Sequence, residues 1–471
     1  MAIIPQPNLF SWKDVENLGD LERLRLVLSV LPDEPLMRAL ESERGNGRDQ
    51  YPIRAMWNSI IASYVFQHDS VEALRRELLR NDRLRWLCGF DSVKEAEDAV
   101  GDPWNYTRFL QNVEKHPEEL DAILERLVEN LFEQLPGFGR YLAIDSKHIE
   151  SHGRPRGKEI LKELLKKGPD GRRDLDADWG VKTYEYQKKD GTIGKKTFRW
   201  FGYKLHLIVD ALYELPIAYE VTRASRPDNK EGGKLIENWA AGHPQMVSRC
   251  EAFTGDKGYD DGKILSQLWE GKDPDSPRGI LPIIPKRDDW KRKSEFDDRP
   301  LSEGVDNLTY DCQGRVYCYC HKSGTRREMV YDGYEKNRDC QKWRCPAAVY
   351  SRIIKCRSFA RCSKNSEYGR VVRVKRDFDP RTFLPVARTS LKFDRLYKKR
   401  TSVERVFSRM DVSYGFEKHY IRGQKKMHFR CGFALIVMLS MALGRICENK
   451  KREADQEYRA GPSIRSLVRA A

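Results

Sequence analysis

Nothing in this 471-residue sequence reads as a membrane anchor or an export signal. The strongest apolar run, Phe433 to Leu443, is shorter than the ~20 residues that a bilayer-crossing helix needs, and reads as a buried core helix. Met1 to Pro7 has neither a charged leader segment nor an apolar one, so a cytoplasmic protein with no membrane partner is expected. A disulfide scaffold is not expected either. Eleven cysteines in a long chain without a leader read as reduced thiols or metal ligands. Acidic residues are in deficit, 71 against 86 Lys and Arg, for a net charge of +15. That balance points to a polyanionic partner, most often nucleic acid, with a basic but ordinary enzyme as the alternative. The many acids still present suit a protein that holds metal ions against phosphate.

The chain divides by texture. Residues 1–50 form an N-terminal arm leading into a Leu-rich helix across Leu21 to Leu36. Residues 51–139 are almost wholly helical in pattern, with Ile53, Met56, Ile60, Ile61 and Tyr64 at helical spacing. Ser70 precedes a helix with an acidic first turn and a basic last turn. Short Arg-bearing helices suit a DNA-reading bundle, and equally a helical scaffold.

Periodicity changes at Tyr141. Tyr141–Asp145, Arg199–Ala211, Leu215–Thr222, Cys250–Asp256 and Gly279–Pro285 read as strands, the last an edge strand because of its prolines. Helices are expected over Asn229–Ala241 and Asp260–Glu270. Residues 140–285 are thus an α/β unit, a mixed sheet with flanking helices. Within it, the polar stretch from Glu150 to Lys196 reads as an insertion loop or hairpin. Residues 286–392 are a basic, β-rich insertion with seven cysteines. Residues 393–447 return as helices, and 448–471 form a basic tail.

Three carboxylates stand out. Asp145 closes the first strand and Asp256 the fourth, each among apolar neighbours where a lone carboxylate is costly unless paired or metal-bound. Glu404 lies on a helix running from Tyr397 to Phe407. At ~100° per residue, Tyr397, Arg400 and Glu404 share one face. Taken alone, Arg400 and Glu404 make an ordinary i, i+4 pair. Together the three acids suit hard cations with oxygen ligands.

These residues resemble the DDE transposases of bacterial insertion sequences. The resemblance rests on Ala143-Ile144-Asp145-Ser146, Gly255-Asp256-Lys257-Gly258-Tyr259 and Tyr397-x2-Arg400-x3-Glu404. Residues 51–110, Phe201–His206 and Arg422–Met427 also look familial. The resemblance implies an RNase H-like core with Asp145, Asp256 and Glu404 holding two Mg2+ or Mn2+ ions. It implies strand cleavage at element ends followed by strand transfer to target DNA. Double-stranded DNA is the expected partner, bound by a homodimer in a bacterial cytoplasm. Tyr397, Arg400 and Lys257 would contact DNA, with Arg400 freed from its pairing with Glu404. One position departs from the family signature, which ends in Lys where this chain has Asp411. An RNase H-like nuclease without strand transfer and a catalytically decayed DNA-binding protein are the alternatives.

Weaker signals remain. Cys340, Cys345, Cys356 and Cys362 are candidate ligands of a structural zinc, although only Cys340 and Cys345 approach the usual close pairing. Unliganded thiols are the alternative. Lys204 and His206 alternate on one strand face and could reach the acids. Asp210, Asp228, Asp260 and Asp261 have bland explanations, such as a helix cap for Asp228. Trp343 and nearby arginines could stack on DNA.

Overall fold

The structure, a computed structural model, describes residues 11–45, 50–91, 93–153, 155, 166, 174–188, 192–271, 278–287, 298–301, 307–364 and 366–459. Helices Asp20–Leu28, Glu34–Arg44, Ile53–Val65, Val71–Arg80, Pro103–Val113 and Pro117–Gln134 build the N-terminal part. Their starts are marked in the sequence. Ser70 Oγ accepts the Ala73 N–H at 3.3 Å, and Pro103 and Pro117 occupy first-turn positions where no N–H is needed. The helix expected from Leu21 to Leu36 is two helices, broken between Leu28 and Glu34. Pro32 lies in the break and cannot continue an i to i−4 ladder.

The central sheet contains β1 (Tyr141–Glu150), β2 (Asp178–Gln187), β3 (Ile193–Asp210), β4 (Leu215–Arg223), β5 (Ala252–Thr254) and β6 (Leu281–Ile283). The second half of β3 pairs antiparallel with both β1 and β4, and β1, β5 and β6 run parallel. Helices Asp228–Gly242, Gly262–Trp269 and Thr401–Tyr414 pack around this sheet. This is the mixed, RNase H-like arrangement, with β6 at an edge as its proline requires.

The long β2–β3 hairpin differs from the expected strand boundaries. β3 begins at Ile193 and β2 pairs with its first half. Val181 and Thr183 are exposed and Lys182 is half-buried, so β2 lacks the alternating apolar pattern that announces a strand. Residues 156–165 and 167–173 of the expected insertion lie outside the described residues. At Gly202, β3 passes from β2 to β4. A Cβ there would meet the Ile149 carbonyl oxygen at 2.1 Å, so the close strand approach admits only glycine.

The insertion carries two small sheets. One is β7 (Arg299–Pro300), β8 (Leu308–Tyr310), β9 (Val316–Tyr319) and β10 (Arg326–Glu328); the other is β11 (Val330–Glu335), β12 (Cys340–Arg344) and β13 (Val371–Lys375). Leu308, Val316, Trp343, Val372 and Phe383 belong to their shared core. Trp343 is therefore a core residue, its indole N–H donating to Gln341, and is not placed to stack on DNA.

The N-terminal helices and the central sheet share one continuous hydrophobic core. Through it runs the helix Gln424–Arg459, longer than the apolar run suggested. Over Gln424–Glu453 it is long and apolar enough to cross a membrane, and 83% of its most apolar window is buried inside the molecule. Charged residues such as Arg445 end the apolar run without ending the helix, because helix propensity does not depend on burial. Cys88, Cys250 and Cys431 are buried and Cys447 packs against the core, as small apolar residues do.

Candidate active site

β1 continues beyond Asp145 to Glu150, so Asp145 is a mid-strand residue rather than a strand end. Pairing with β3 carries it on, from Asp145 opposite Leu207 to Glu150 opposite Gly202. β1 and β5 run parallel, with Ala143 beside Thr254. Asp145 and Asp256 each follow these partners by two residues, which brings the carboxylates to one level of neighbouring chains. Burial and the Asp256 charge push Asp145 up to about 6, against the Ser146 N–H, Arg400 and Lys182. Asp256 Oδ1 also accepts the Gly258 N–H at 2.7 Å, capping the turn Lys257–Tyr259.

The third acid arrives on an interrupted helix. Tyr397 ends the helix Leu391–Tyr397, a single 3₁₀ turn covers Lys398–Arg400, and Thr401–Tyr414 is α-helical. Val403, Val406 and Phe407 anchor it in the core. Arg400 stands between two carboxylates, with Nη1 2.9 Å from Asp145 Oδ2 and Nη2 2.5 Å from Glu404 Oε1. The Tyr397 ring is 5.9 Å from the Arg400 guanidinium carbon. Burial pushes the Tyr397 hydroxyl up, Arg400 opposes, and Asp256 and Asp145 add to the push. The fold thus assembles Asp145, Asp256, Tyr397, Arg400 and Glu404. Arg400 keeps the pairing with Glu404 that it was expected to give up. Among the described residues, no three His, Cys, Asp or Glu side chains form a group that could hold a metal ion as they stand.

Residues 136–440 match the family described as transposase DDE domain, and residues 10–111 match the transposase domain (DUF772). The chain belongs to the transposase DDE family. No curated protein matches it significantly. The activity of the family is DNA transposition, its partner is DNA, and its members generally use divalent metal ions.

In this DDE transposase Lys257 is exposed beside Asp256. Two further cations belong to this region, one acting on Asp145 and one paired with Asp411. Lys182 is one of the charges that hold Asp145 down. Lys147 is on β1 two residues after Asp145, hence on the same strand face, a spacing visible in the sequence. Its Nζ is 2.7 Å from Asp411 Oδ2 and 3.2 Å from Glu417 Oε1. The acid that departs from the family signature is therefore paired with a lysine from the neighbouring strand.

Lys204 and His206 lie on the other sheet face. They pair opposite His148 and Ser146, whereas Asp145 is opposite Leu207. Lys204 Nζ is 2.8 Å from Asp228 Oδ1, and His206 is buried against the Thr222 hydroxyl at 3.0 Å. Asp228 is the first residue of its helix rather than its cap. Asp210 accepts the backbone N–H groups of Gly139, Leu212 and Tyr213, and Asp261 caps the helix Gly262–Trp269. Asp260 is fully buried between Arg381 and Arg388. In the insertion, Cys340 faces Glu335 and Arg373, whereas Cys345, Cys356 and Cys362 lie close to Cys318.

Proposed function

We propose that this transposase binds the ends of an insertion sequence, cuts them, and joins the freed strands to target DNA. One observation carries the reading: Asp145 and Asp256 meet on adjacent parallel chains, and Arg400 links Asp145 to Glu404. The three acids are hard oxygen donors, which suit Mg2+ or Mn2+. Burial and the Asp256 charge disfavour the bare Asp145 carboxylate, a cost that a bound cation would offset. Asp145, Asp256 and Glu404 would hold two such ions once Arg400 leaves them. Bound there, divalent ions supply charge stabilisation at the attacking and leaving oxygens of phosphoryl transfer.

The chain's own groups position the DNA. Arg400, released from the carboxylates, would turn to a phosphate, with Tyr397 beside it. The exposed Lys257 would meet the strand next to Asp256. Residues 51–139 would read the element end. Cutting two ends calls for two such sites, hence a homodimer on DNA in the bacterial cytoplasm.

The test incubates the protein with end DNA, a target plasmid and Mg2+. Joined products are expected. Asp145→Asn, Asp256→Asn and Glu404→Gln should each abolish cleavage while end binding in a mobility-shift assay stays largely intact. Wild-type cleavage by any one variant would sink the triad. Nicks without joining would favour a nuclease, and binding without cleavage a decayed protein.

A further inference from the structure

The β2–β3 hairpin leaves the central sheet as a two-stranded ribbon. Among the described residues, the first half of β3 pairs with β2 alone, whereas its second half lies between β1 and β4. The root of the ribbon is fixed. Asp178 Oδ1 accepts the Ser225 N–H at 2.8 Å, and the Trp200 indole lies across Gly180, where a Cβ would meet the ring at 2.2 Å. On that face Trp200 is buried and Phe198 half-buried, both against the His148 ring at centroid distances of 5.6 and 4.9 Å.

The other face is open. Trp179, Val181 and Thr183 of β2 stand in register with Phe201, Arg199 and Thr197 of β3, and Lys195 follows two residues further out. The Thr183 and Thr197 hydroxyls are 3.4 Å apart and the Trp179 and Phe201 rings 5.8 Å apart, so these side chains share one face. All but the half-buried Phe201 are exposed, Trp179 to 52% and Val181 to 56%. An exposed tryptophan and valine rimmed by polar side chains mark an interaction site. Its charge says for what. Along residues 178–202, Lys182, Lys188, Lys189, Lys195, Lys196 and Arg199 are balanced only by Asp178, Glu185 and Asp190, and Asp178 is occupied by Ser225 at the root.

We propose that the β2–β3 ribbon is an arm that grips duplex DNA of any sequence by its backbone. Lys195, Lys196 and Arg199 pair with phosphates, the threonine hydroxyls donate to them, and Trp179 and Val181 pack on sugars, none of which reads a base. A two-stranded ribbon is also narrow enough to lie in the major groove. The arm leads the duplex to the catalytic acids. Side chains alternate along β3, so Thr197 and Arg199 continue the face of Leu205 and Leu207, which pair with Lys147 and Asp145. At the root, Lys182 Nζ is 3.5 Å from the carbonyl oxygen of Ser146, beside Asp145. From Leu207 to Arg199 the strand covers about 26 Å at ~3.3 Å per residue, less than one ~34 Å turn of duplex. A duplex with its reacting phosphate at Asp145 therefore meets the arm within its first turn. A second copy of the chain fits this face less well, since symmetric pairing would set the basic ribbon against itself.

The test measures binding of a random-sequence duplex to the full-length protein by fluorescence anisotropy across a salt series. EDTA is present throughout, so the result is independent of metal and of the three acids. Lys195→Ala/Lys196→Ala/Arg199→Ala should bind about ten-fold or more weakly at low salt, and its slope of log affinity against log salt should be shallower by about 2–3, roughly one per lost phosphate contact. Trp179→Ala should weaken binding without changing the slope. A charge-matched control in the insertion, Lys322→Ala/Lys336→Ala/Arg338→Ala, removes exposed cations and should keep the wild-type slope. An unchanged slope in the ribbon variant, or an equal loss in the control, would overturn the proposal. Loss of self-association in Trp179→Ala with DNA affinity intact would do the same, by assigning the face to a second copy. If the ribbon variant fails to fold, the wild-type protein decides: DNA should shield Lys195 and Lys196 from acetylation, and equal modification with and without DNA would refute the arm.

Discussion

At Asp145 and Arg400, burial and ion pairing act on stability in opposite directions. The net upward push on Asp145 means that its ionised form is disfavoured in the fold, even with Arg400 at 2.9 Å. A neutral side chain of the same shape removes that cost, as in active sites that trade stability for activity. Asp145→Asn is therefore expected to melt at or above the wild-type temperature in metal-free buffer, by about 1 kcal/mol of stability. A melting temperature clearly below wild type, measured by calorimetry, would show that the Arg400 pairing outweighs desolvation and repulsion by Asp256. The i, i+4 pairing of Arg400 with Glu404 was legible from spacing. The second bond, from Arg400 to Asp145, was not, because it spans 255 positions.

Among elements, the contact between β1 and the helix Thr401–Tyr414 carries the charge that seemed displaced at Asp411. Lys147 and Asp411 are mostly buried, with side-chain exposures of 11% and 24%. Burial pushes the Asp411 carboxyl up and Lys147 draws it back down. Asp411→Lys would set two cations together and should destabilise by about 2 kcal/mol in urea denaturation, since breaking a partly buried pair leaves a charge uncompensated. Lys147→Asp/Asp411→Lys should recover most of that loss. No recovery would mean that the two positions do not act as a pair. Element existence was largely legible: apolar periodicity marked the helices, β1, β4 and β5. Strand extent was not. Asp145 looked terminal because the polar stretch Ser146-Lys147-His148 follows it, yet β3 pairs with those residues. β2 was expected only as part of an insertion hairpin or loop, without bounds, because the residues on its more buried face, such as Gly180 and Lys182, are not apolar.

At the scale of the whole molecule, Asp260 joins the core to the chain returning from the insertion. Its carboxylate is fully buried, meets Arg381 at 2.7 Å and Arg388 at 3.5 Å, and accepts the Arg287 N–H at 2.8 Å. Arg388 is only 3% exposed in its side chain, so Asp260→Ala would strand a buried guanidinium. A loss of about 3–4 kcal/mol is expected, against about 1 kcal/mol for Asp261→Ala, which removes a helix cap. Equal losses in thermal unfolding would refute the joining role. In the sequence these two aspartates were indistinguishable neighbours. What the sequence determined by itself was local: where helices and most strands lie, the basic surplus that suits DNA, and the motif spacing that marks Asp145, Asp256 and Glu404. Each follows from periodicity, composition or nearby neighbours. Only the tertiary structure decided that Arg400 bridges two of those acids, that Lys147 answers Asp411, and that Asp260 is buried. These outcomes depend on strand register and burial, which bring together residues scores to hundreds of positions apart.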